Sequence, residues 1–119
     1  MAGLVNRLPI LTYHSLDDSS SPISVGPALF RRQMEWLRNG NWSTLGIDAL
    51  LDGHERGQWP ERACVLTFDD GFANFAEHAL PVLREFGFIA HVFVLAGGVG
   101  GNNDWPGQPA WAPRLPLMS

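Results

Sequence analysis

The stretch Val65-Leu66-Thr67-Phe68-Asp69-Asp70-Gly71 constrains this chain most. Its opening residues form a short apolar run rich in β-branched and aromatic side chains, the composition of a buried strand. The run ends on two adjacent carboxylates and a glycine, and a helical pattern begins directly afterwards. In α/β folds, sites are built at the carboxyl ends of strands. Two neighbouring aspartates repel, and at low dielectric both stay ionised only beside a compensating positive charge. A bound divalent cation supplies one. Adjacent residues at a strand end also point in different directions, so one carboxylate can hold a cation while the other takes a proton. The same residues admit a plainer reading: Asp70-Gly71 as a turn, with Asp69 capping the next helix.

The remaining chain alternates strands and helices. Leu8 to His14 reads as a strand, which puts His14 at the same topological level as Asp69. A lone histidine there is more often structural than functional. Ser15 to Gly26 is a polar loop long enough to reach over a site. Pro27 opens an amphipathic helix whose core stripe is Leu29-Phe30, Met34 and Leu37, ending near Asn39-Gly40. Trp42 to Leu45 is a short strand, Ile47 to Leu51 a short helix stopped by Gly53, and His54 to Pro60 a loop. Ala63 to Asp69 is the central strand. Phe72 to Phe86 is helical, with Phe75, Ala79, Leu80, Leu83 and Phe86 on one face and a bend at Pro81. Asn74, Glu77 and His78 fall on its outer side. Ile89 to Leu95 is the fourth strand, in which His91 reads as packed and hydrogen-bonded. From Ala96 to Gly107 the chain is turn chemistry, and Pro109, Pro113 and Pro116 prevent a long helix.

This order implies parallel strands joined by crossovers, about half of a barrel or open α/β sheet. The 119 residues suffice for one small domain. The net charge of −4, with no basic stripe, argues against nucleic acid. The single cysteine, Cys64, excludes an intrachain disulfide framework and reads as a small buried residue. No apolar run approaches membrane-span length. Met1 to Arg7 lacks a charged region followed by a long apolar core, so no signal peptide is expected and a cytoplasmic location is the default. A phosphoryl-transfer site using Asp69 and Asp70 with magnesium would need a phosphate-binding loop or basic cluster, and neither occurs.

Val65 to Gly71 resembles the first motif of the polysaccharide deacetylase family, carbohydrate esterase family 4 or NodB homology domain. Pro9 to Ser15, Gly71-Phe72, Ala79 to Leu83, Phe86 to Ala90 and Val92 to Val94 follow the family pattern in order. The resemblance implies an α/β fold: a partial (β/α) barrel with parallel strands, truncated after about four strands. Residues 1–119 would be the N-terminal portion of one such domain. It also implies a metal-dependent hydrolase that removes N-acetyl groups from an N-acetylglucosamine-type polysaccharide, in the cell envelope for the full-length parent. Asp69 matches the family's catalytic base and Asp70 its ligand to a divalent cation, zinc being expected. Tyr13, His14, Gly71, Phe72 and Trp105 are expected to line the site. His91 departs from the small residue usual at its position. The family's second motif, two histidines four residues apart, does not occur in this sequence, whose histidines at 14, 54, 78 and 91 are too dispersed to replace it. These residues alone are therefore expected to bind metal weakly and to turn over little substrate. Open sheet edges are expected to favour self-association. The competing reading is a degenerate carbohydrate-binding module, with Tyr13, Phe72, Trp105 and Trp111 stacking on sugars.

Overall fold

The structure, a computed structural model, describes residues 3–119, so the first two residues of the Met1–Arg7 leader reading lie outside it. In chain order the strands and helices are β1 (Leu4–Val5), β2 (Ile10–Tyr13), α1 (Pro27–Asn39), β3 (Ser43–Thr44), α2 (Ile47–Arg56), β4 (Trp59–Pro60), β5 (Ala63–Asp70), α3 (Leu80–Phe86) and β6 (His91–Val94). Strand β5 is the axis of the main sheet. On one edge it pairs in parallel with β2, from Ile10 opposite Val65 to Tyr13 opposite Phe68. Its other edge is shared: β3 takes the amino-terminal end, opposite Ala63 and Cys64, and β6 the carboxyl end, from Thr67 to Asp70. All three pairings are parallel, as the alternating pattern requires.

The period-two alternation of β5 separates two faces. Cys64, Leu66 and Phe68 join a core with Phe30, Met34 and Leu37 of α1 and with Ala79, Val82 and Leu83. At its centre Phe68 stacks on Tyr13 with ring centroids 5.2 Å apart and meets Phe30 and Phe75 edge-on at 5.7 and 4.8 Å. Burying one such ring contributes about 1.5–3 kcal/mol. On the opposite face, Ala63 and Val65 pack with Leu45, Leu8, Leu50 and Trp59. That face is open at its carboxyl end. Ile10 and Phe93, which pair with Val65 and Asp69, remain 57% and 59% exposed.

Four local expectations are corrected. Helix α2 runs through Gly53 to Arg56 and stops at Gly57, which takes the left-handed conformation at φ +70°. Gly53 is a contact glycine: a Cβ there would overlap the Trp59 indole. The segment after it is not all loop, since Trp59 and Pro60 pair antiparallel with Val5 and Leu4. Leu29 is 49% exposed, leaving Phe30, Met34 and Leu37 as the buried stripe of α1. The bend expected at Pro81 takes the form of a π-helical turn over Phe75–Ala79, where the Leu80 N–H donates to the Phe75 carbonyl. Proline has no N–H and its ring crowds the carbonyl of the preceding turn, and widening that turn relieves the clash.

One long loop closes on the carboxyl end of β5. After β6, residues from Ala96 onward fold back so that the Met118 N–H donates to the Gly71 carbonyl (2.8 Å) and the Ala73 N–H to the Pro116 carbonyl (2.9 Å). Buried Asn103 staples this loop. Its Nδ2 donates to the Pro113 carbonyl (2.9 Å) and its Oδ1 accepts from the Leu115 N–H (2.7 Å).

Candidate catalytic site at the carboxyl end of the central strand

Asp69 and Asp70 are the last two residues of β5. Asp69 lies on the open face, with the β2 side chain row on one flank and Phe93 of β6 on the other. His14, one residue beyond β2, brings its Nε2 to 3.6 Å from Asp69 Oδ2, with both side chains partly open to solvent. One row below, the Thr67 hydroxyl donates to the Thr12 hydroxyl at 2.9 Å. Farther along, His91 Nε2 lies 2.9 Å from the Leu45 carbonyl oxygen, so His91 is a packed, hydrogen-bonded histidine.

Asp70 leaves the strand at φ +75° and Gly71 follows at φ +67°. In regular strand geometry consecutive side chains face opposite sides. The left-handed turn at Asp70 breaks that alternation immediately beside Asp69. A non-glycine residue held there is strained, and such strain concentrates at functional sites. Gly71 tolerates its conformation for lack of a side chain, and a Cβ would also come within 3.1 Å of Val94 Cγ1.

The other expected lining residues lie elsewhere. Tyr13 is buried among Phe30 and Phe68, and its hydroxyl donates to Gln33 Oε1 (2.7 Å) on α1. Burial first, and then the neighbouring Cys64, push its phenol up to about 12. Phe72 is 1% exposed and bridges to Leu117. Trp105 lies on the Asn103 loop and lines a separate cavity. The aromatic cleft expected of a purely sugar-stacking module is therefore not assembled, because two of its four members are inside the core.

A polar cluster behind the acids was missed by sequence reasoning, which placed Asn74 on the outer surface. Asn74 Oδ1 accepts from the Leu16 N–H (3.1 Å) and its Nδ2 donates to the Ser15 hydroxyl (2.8 Å). Ser15 is fully buried and in turn donates to Asp17. Partial burial pushes the Asp17 carboxyl up, but bonds from Ser15, Ser19 and Ser24 outweigh it and hold it below the ordinary carboxylate range. The cluster ties the loop after His14 to the turn after Asp70. Its signal was the run Ser15-Leu16-Asp17-Asp18-Ser19, rich in residues that bond to nearby backbone.

Among the described residues, no three His, Cys, Asp or Glu side chains converge as a metal-binding group. A catalytic zinc centre takes three protein ligands. These residues alone therefore do not form a complete centre of that kind.

Residues 56–111 match the family model described as polysaccharide deacetylase. Over these residues the chain is similar to that family. It is 34% identical over 95 residues to YxkH of Bacillus subtilis, covering 79% of this chain and 34% of that protein. It is 32% identical over 85 residues to the poly-beta-1,6-N-acetyl-D-glucosamine N-deacetylase of Escherichia coli K12, covering 68% of this chain and 13% of that protein. Among solved structures, IcaB from Ammonifex degensii superposes with a TM-score of 0.75 at 29% identity, over 94% of this chain and 44% of that one. The chain thus spans about a third or less of these two curated relatives and under half of the solved structure. With its parallel strands, the fold is part of the (β/α) barrel of this family. No helix among the described residues is long and apolar enough to cross a membrane.

Proposed function

We propose that this chain supplies half of the catalytic centre of a hydrolase that removes N-acetyl groups from an N-acetylglucosamine-type polysaccharide. The observation that carries the reading is the acid pair at the tip of β5, with Asp70 in a strained left-handed turn and His14 3.6 Å from Asp69. The named activity of the Escherichia coli relative supports the same substrate class. Residues 1–119 are then the N-terminal portion of a single catalytic domain. Asp69 is the proton acceptor. His14 stands beside the Asp69 carboxylate, and the open face of β5 admits the polymer.

Asp70 is one ligand to a divalent cation, zinc by the family's chemistry, whose imidazole ligands lie outside these residues. The cation's contribution when bound is Lewis-acid activation of water. The 119 residues alone then retain little metal and release little acetate, as one monodentate carboxylate does not hold zinc tightly. The test compares protein carrying the whole domain with these residues alone, on an N-acetylglucosamine oligomer with zinc. In the whole domain, Asp69→Asn is expected to keep its zinc and lose acetate release by a factor of about 10²–10⁴. Asp70→Asn is expected to lose both. Equal zinc content in Asp70→Asn overturns the ligand assignment. Acetate release by the 119 residues alone at the whole-domain rate overturns the half-centre.

A further inference from the structure

The Asn103-stapled loop carries a cavity of about 240 Å³ that the reaction above does not use. Its walls include Asp104, Trp105, Gln108, Pro109, Pro113 and Arg114. The loop is built rather than slack. Asn103 fastens one side of it to the other, and Gln108 Nε2 donates to the Asn103 carbonyl at 3.0 Å, leaving the Gln108 amide oxygen for a ligand. Asp104 and Arg114 line the same cavity, yet neither is in an ion pair among the described residues.

We infer that this cavity is a saccharide subsite for one uncharged sugar ring. Three features of the walls select that ligand. One acid and one base facing the same space cancel, so an anionic or a cationic ligand meets a like charge as well as an opposite one. A ring of hydroxyls satisfies both, donating to the carboxylate and the amide oxygen and accepting from the guanidinium. The Trp105 indole offers a flat apolar face for the C–H side of a pyranose. The volume lies below the roughly 300–1,000 Å³ of sites for drug-sized ligands, which suits one ring rather than several.

Position gives the subsite its role. The strand-like segment leaving the cavity, Leu115 to Met118, hydrogen-bonds to Gly71 and Ala73, directly after the acid pair. A polymer crossing the end of β5 would thus place a neighbouring unit in this loop. That role rests on the deacetylase reading; the binding itself does not.

The test is a titration of the full chain with an N-acetylglucosamine tetramer, read by the Trp105 indole N–H and Gln108 side-chain amide signals in two-dimensional NMR. Both signals are expected to move saturably. Arg114→Ala and Trp105→Ala are each expected to weaken binding about tenfold or more, with Trp105→Phe recovering part of the loss through its aromatic face. Thermal melts of the variants separate lost binding from lost folding. Signals that stay still at saturating sugar overturn the subsite, as does tighter binding of a sulfated, anionic oligomer. Acetate release is measured separately, on protein carrying the whole domain with zinc. Release without movement of these signals removes the subsite and leaves the deacetylase reading, whereas movement without release does the reverse.

Discussion

Asp70 is where backbone and chemistry meet. A left-handed conformation costs an L-residue about 1–2 kcal/mol, and aspartate is among the few that adopt it as single residues. The turn breaks the alternation that regular strand geometry would have imposed on these two neighbouring acids. The adjacency of the acids was legible in the sequence, and so was the level of His14, because both follow from strand ends. The sign of φ at Asp70 was not, since Asp-Gly is compatible with several turns. Tyr13 shows the opposite failure. Its place beside His14 suggested a lining residue, but side chains alternate along β2, so the neighbour of an inward histidine must face the helices. Being the only tyrosine, it can be titrated alone by absorbance. With its phenol pushed up to about 12, no ionisation is expected near the ordinary value of about 10. Because the folded value is the raised one, the associated stability is intact below about pH 10 and is lost as pH climbs towards 12. A midpoint at the ordinary value would place the ring at the surface instead.

At the level of elements, the Ser15–Asn74–Asp17 cluster decides how the strand ends are held. The strands of the main sheet were readable from apolar runs and helix ends from glycine, with the exceptions of the Leu4–Val5 and Trp59–Pro60 pair and of Gly53. That residue signals a stop in sequence but serves contact with Trp59, a tertiary fact that no local pattern encodes. Asn74 was misplaced for a related reason: its helical phase points outward, while the loop from Ser15 comes over to meet it. Asn74→Ala removes both bonds and leaves the buried Ser15 hydroxyl with one partner fewer. The expected loss is about 1–3 kcal/mol in urea unfolding. A change below about 0.5 kcal/mol would mean that the loop is held by Asp17 and its serines without help.

For the molecule as a whole, the open face is the dominant fact. Alternating elements foretold a parallel sheet, but the division of one edge of β5 between β3 and β6 follows from strand lengths that appear only on folding. Phe93 and Ile10 stand on this face beside the acid row, and β2 leaves one edge unpaired among the described residues. Exposed apolar side chains next to a free edge favour association. Sedimentation velocity of the 119-residue chain is expected to show concentration-dependent oligomers, shifted towards monomer by Phe93→Lys. An unchanged distribution would assign the contact to another surface.

The chain's return to Gly71 and Ala73 has a further implication. Both stems of the Asn103 loop are anchored, one through β6 and one against the turn after the acids, while Trp111 between them is 65% exposed. Lengthening, shortening or rewriting the stretch around Trp111 leaves the anchors untouched. Sequence change confined to that stretch is therefore expected to leave the geometry of the acid pair intact.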